Sequence, residues 1–72
     1  MENTMIEVNA TDVLADEGTV VLFLGTDVKD GRTITFAVDH RLAQDIIASE
    51  DWQGGGSPLV FVEPWQIMGR AK

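Results

Sequence analysis

The sequence predicts an α+β domain: a small, single-layer, mainly antiparallel four-stranded sheet in the order β-β-β-α-β, with one helix packed on one face. Three observations lead there. A strongly apolar run over residues 19–28 is followed, after Lys29, Asp30 and Gly31, by the alternating run 32–38, and the two together read as a β-hairpin. Leu42, Ala43, Ile46 and Ile47 recur as one stripe at helical periodicity. Leu59, Val60, Phe61 and Val62 form a short apolar run between two prolines, as an edge strand does.

The elements follow in chain order. Residues 1–4 are expected to fray. Ile6, Val8 and Ala10 alternate with Glu7, Asn9 and Thr11, which predicts a half-buried strand over residues 4–10. Over residues 11–18, Thr11 has the chemistry of an N-cap and Gly18 that of a helix stop, so the segment is either one helical turn or a loop.

The hairpin has two candidate registers. A two-residue Asp30–Gly31 loop puts Ile34, Phe36 and Val38 on one face with Phe23, Gly25 and Asp27. A turn over Lys29–Asp30, with Gly31 left-handed in a bulge, instead gathers Leu22, Leu24, Ile34, Phe36 and Val38. The second collects the larger apolar set and is preferred, since a one-residue slip moves every side chain across the sheet. It leaves Val21 and Phe23 on the outer face without a cover.

Asp39 is a good N-cap for a helix over residues 39–51, which docks through Leu42, Ile46 and Ile47. Gly54, Gly55 and Gly56 make a flexible loop, and Pro58 opens the last strand. Residues 65–68 are compatible with a return to extended structure, and residues 69–72 read as a polar tail.

Composition limits function. The chain has 72 residues, which fits a single domain over 1–72 whose small size leaves little core. It lacks cysteine, so stability has to come from packing or from a second chain, and one histidine cannot build a multi-histidine metal cage. The formal net charge is −7 with only five basic residues, scattered along the chain. Binding of a nucleic-acid backbone calls for clustered Lys and Arg, so direct nucleic-acid binding is not expected. No apolar stretch nears the roughly 18 residues a membrane helix needs, and the first residues do not resemble a signal peptide. A cytoplasmic location is the resulting expectation.

No catalytic constellation is expected. His40 is the one histidine, Ser49 and Ser57 are the only serines, and the neighbour Asp39 is accounted for as a cap. Asp12, Asp16 and Glu17 lack the alternation of a calcium loop and read as a solvated turn. The triple glycine follows a helix and precedes a strand, the reverse of a phosphate-binding loop. No cofactor or metal is therefore expected.

The aromatic content is more informative. Trp52, Trp65, Phe61, Met68, Val21 and Phe23 exceed what one helix on one sheet face can bury, which predicts an interface with a protein partner, most economically a second copy. The leading expectation is a small acidic, non-catalytic interaction module that self-associates through a sheet face or an edge strand. The alternative, an analogy of size and charge with phage-type inhibitors and antitoxins, is a nucleic-acid-mimicking decoy. Its acids would be Asp39, Asp45, Glu50 and Asp51, occupying a basic groove on a target enzyme.

Overall fold

A central hairpin sets the architecture. In the computed structural model, which describes residues 4–70, β2 (Val20–Asp27) pairs antiparallel with β3 (Thr33–Asp39). Phe23 faces Phe36, Val21 faces Val38 and Gly25 faces Ile34. Val21, Phe23, Ile34, Phe36 and Val38 thus share the buried face, and the two phenyl rings stack with centroids 5.6 Å apart. The preferred register is overturned: Leu22 and Leu24 turn to the half-buried outer face, and Val21 and Phe23 become core.

Two local features explain why the larger apolar set lost. The loop has four residues, 28–31: Asp27 N–H donates to the Arg32 carbonyl at 2.8 Å, and Gly31, at φ +72°, donates to the Asp27 carbonyl at 2.7 Å. The Asp27 carboxylate also accepts the Lys29 and Asp30 N–H groups, at 2.9 and 3.3 Å, so the aspartate builds its own turn from the core side. Gly25 makes room for the Phe36 ring. A Cβ there would lie 2.8 Å from Phe36 Cε1 and 2.6 Å from the Asn9 carbonyl oxygen.

The first strand, β1 (Ile6–Asp16), is longer than expected. The segment after Ala10 is neither helical turn nor loop. It continues as strand through two irregularities in its pairing with β2, at Ala10/Asp12 and Val13/Ala15. Thr11 caps no helix, and its hydroxyl donates to the Leu24 carbonyl at 3.0 Å. Gly18 and Thr19 form the connecting loop, closed by Glu17 N–H on the Val20 carbonyl. Bulges of this kind bend and twist a strand, letting one long strand serve a curved sheet.

Helix α1 (His40–Ala48) starts where expected, with Asp39 Oδ1 accepting Leu42 N–H at 2.8 Å. It stops short of Asp51 because Ser49 leaves the helical conformation. The Ser49 hydroxyl donates back to the Ile46 carbonyl, while its oxygen accepts Trp52 N–H, so one residue closes α1 and caps a second turn, α2 (Glu50–Gln53). Ala43 and Ile46 are buried and Leu42 half-buried, whereas Ile47 keeps 36% of its surface exposed.

The sheet has five strands, not four. β4 (Leu59–Val62) lies beside β1, and β5 (Ile67–Arg70) beside β3, giving the order β4-β1-β2-β3-β5 with all neighbours antiparallel. Gly69 and Arg70 are therefore strand rather than tail; the rest of that expected tail, like most of the expected N-terminal fray, lies outside the described residues. The two edge strands are joined only by residues 63–66, including a 3-10 turn over Pro64–Gln66. In a flat sheet they would lie four strand spacings apart, roughly 19 Å, more than a connection containing such a turn can span. The sheet must coil, and the flat single-layer expectation gives way to a curved sheet that wraps its own core. Val8, Ala10, Val60 and Val62 join the hairpin residues there, and Ala43 and Ile46 close the open side.

Candidate functional site

The free edge of β4 combines side-chain exposure with unpaired backbone. In the antiparallel ladder with β1, Ile6 faces Val62, Val8 faces Val60, and Ala10 N–H donates to the Pro58 carbonyl at 3.0 Å. Antiparallel pairs alternate between bonded and non-bonded, so Pro58, Val60 and Val62 direct their backbone groups at β1. Leu59 and Phe61 direct theirs the opposite way, and neither has a backbone hydrogen-bond partner there among the described residues. The same two side chains are 49% and 51% exposed.

A groove of about 370 Å³ runs along this edge, walled by Leu42, Asp45, Ile46 and Ser49 of α1 and its cap and by residues 58–61. Ala43 and Ile46 of α1 are buried in the core, and Leu42, packed against it and half-buried, lines the groove. Asp45 is the one ionisable group in its lining. β5, the other edge, differs: its pairing with β3 is bulged and it ends on Arg70, both features that discourage strand addition. β4 carries no charge along its four residues.

The larger hollow, about 520 Å³, lies at the hairpin-loop end of β2 and β3 and is lined by the loop 27–30, residues 4–7 and Arg70. An ion cluster lies within it. Arg70 donates to Asp27 Oδ2 at 2.8 Å and lies 3.7 Å from Asp30 Oδ2. The Arg70 guanidinium, helped by the N–H groups of Asp30 and Lys29, holds the Asp27 carboxyl below the ordinary aspartate value against the opposing effect of burial. This cluster fastens the hairpin loop to the last strand. Sequence reading missed it, since nothing local signals a pair separated by 43 positions.

The expected interface residues scatter. Val21 and Phe23, at 5% and 0% exposure, are core and cannot meet a partner, because the register turned them inward. Trp52 is half-buried, its ring edge-on to Phe23 at 5.7 Å. Phe61, Trp65 and Met68 are exposed but lie on β4, the 3-10 turn and β5 respectively. Trp65 is 72% exposed and donates its indole N–H to Glu63 Oε2 at 2.6 Å. Leu59, Leu42 and Ile46 belong to the groove although sequence reading placed none of them at an interface; the edge position of a four-residue apolar strand was the available signal.

Asp39, Asp45, Glu50 and Asp51 are all exposed, but the Asp39 carboxylate is engaged in capping α1. His40 pairs with Asp16 rather than Asp39, Nε2 to Oδ1 at 3.0 Å, tying the helix start to the end of β1. The Gly18 N–H, and then His40, hold the Asp16 carboxyl below its usual value. Among the described residues no group of three His, Asp or Glu side chains is placed to hold a metal ion, and no helix is long and apolar enough to cross a membrane.

Comparison with known proteins returned no matching family model, curated protein or solved structure.

Proposed function

We propose that this protein is a small acidic, non-catalytic interaction module that binds another protein chain, in the first place a second copy of itself, by strand addition at β4. The observation that carries the reading is the coincidence at Leu59 and Phe61 of half-exposed apolar side chains with unpaired backbone N–H and C=O groups. An added strand would gain backbone hydrogen bonds from the edge and apolar contact from the groove, the two components of recognition by β-augmentation.

The reading makes the two amides a direct reporter. In the monomer the Leu59 and Phe61 N–H groups point away from β1 and have no backbone partner among the described residues, whereas that of Val60 faces β1. Amide hydrogen exchange at Leu59 and Phe61 is expected to slow as protein concentration rises, while Val60 changes little. Exchange at Leu59 and Phe61 that is independent of concentration, up to about 1 mM, would contradict self-association by this edge.

A further inference from the structure

We infer that two copies of the chain pair their β4 strands antiparallel about a two-fold axis at Val60, so that Leu59 of each protomer stands opposite Phe61 of the other. This rests on the self-association proposed above and adds its register, its symmetry and the groups it brings together.

The pattern of backbone bonding limits the choices. The free groups belong to Leu59 and Phe61, so a hydrogen-bonded pair across the new seam must join odd-numbered residues. Four symmetric registers meet that condition, one centred on each residue of the strand. Centred on Val62, the seam sets Phe61 against Glu63, whose N–H is already donated to Gln66 Oε1, and Leu59 against the 3-10 turn. Centred on Phe61, the seam pairs Phe61 with its own copy and sets Leu59 against Glu63 of the partner, burying apolar surface against a carboxylate. Centred on Leu59, it sets Phe61 against Ser57, beyond the start of the strand. Centred on Val60, it pairs Leu59 with Phe61 twice, and every free N–H and C=O of the two edges finds a partner. A two-fold interface must be self-complementary in this way.

Charge and shape agree with the last register. It sets Glu63 opposite the uncharged Ser57, so no like charges meet along the seam. The proline at position 58 lacks an N–H, but that group would have faced β1, and the seam loses nothing by its absence. Leu59 and Phe61 side chains project from the same side of the joined strands and cover each other's exposed halves. The α1 walls of the two grooves flank the joint, which brings Asp45 of each copy to the same side of the sheet. A seam of four residues per protomer is smaller than a standard interface of about 800 Å² per protomer, so the dimer forms and dissociates with concentration.

The chain has no cysteine, so single cysteines report the register cleanly. Hydrogen-bonded antiparallel neighbours lie about 5.5 Å apart at Cα, within disulfide range. Leu59→Cys and Phe61→Cys proteins are mixed at equal concentration under mild oxidation, after thermal melts show that both fold. The expected result is a mixed disulfide between the two variants, formed at least fivefold faster than either variant links to itself. Self-links of Phe61→Cys or of Leu59→Cys that form as fast as the mixed one would overturn the register. With the unmodified protein measured alongside, a dimer of the right mass without the mixed-link preference refutes only the register. A protein that stays monomeric refutes both the register and the self-association on which it rests.

Discussion

Asp27 shows how one residue can decide which face of a sheet is buried. Its carboxylate sits on the core side of β2, folds the 28–31 loop around itself and takes the Arg70 guanidinium. Because its pKa is lowered in the folded state, the stability it contributes is fully present above the ordinary aspartate value of 3.8 and is lost as pH falls through the depressed folded value. Asp27→Asn should lower stability at pH 7 and flatten its loss below about pH 4. Denaturant unfolding at pH 7 and near pH 3 checks this, and an unchanged pH profile would deny Asp27 that role. Gly25 is equally specific. Gly25→Ala forces a methyl group against Phe36 and the Asn9 backbone, with an expected cost of about 1–3 kcal/mol, measured by the same unfolding experiment. An alanine variant as stable as the parent would show that the close approach is dispensable.

At the level of elements, Ser49 divides the expected helix. Its hydroxyl closes α1 and caps the turn that carries Trp52 to the Phe23 ring. Ser49→Ala should cost about 1 kcal/mol and loosen Trp52, visible as a red shift of its fluorescence. No loss of stability would mean that the turn is held by packing alone. The elements that were readable from sequence are those whose signals are local. The Asp39 cap, the Leu42–Ile46 stripe and the 59–62 strand depend on neighbours within a few positions. The hairpin register was not readable by counting apolar residues, because Asp27, Gly25 and the bond from Val28 N–H to the Glu7 carbonyl outweigh the two leucines. Nor was the length of β1, since its two bulges break the alternation that marks a strand. The candidate site was half legible: Phe61 was singled out for its size, but Leu59 and the groove depend on β4 lying at an edge and on α1 lying beside it.

For the whole molecule, the charge of −7 and the apolar edge act against each other. Two copies repel, and salt screens that repulsion over about 8–10 Å at physiological strength. Self-association should therefore tighten as salt rises from about 50 to 500 mM, and Asp45→Asn should tighten it at low salt by removing the one charge from each groove. A decoy that binds a basic groove would show the reverse, with its complex weakening in salt. The curvature that lets β5 close the sheet beyond β3 leaves β4 as the edge with neither charge nor bulge, so the architecture and the proposed interface have one origin.

If β4 is a self-association edge, the mass of the protein in solution depends on its concentration and on Phe61. Sedimentation equilibrium of the unmodified protein and of Phe61→Lys, from about 10 µM to 1 mM in moderate salt, compares the two states. The expected mass rises toward twice the monomer for the unmodified chain and stays at the monomer for Phe61→Lys, whose added charge sits at the seam. A monomer at every concentration, or a dimer that Phe61→Lys leaves intact, would contradict self-association by this edge.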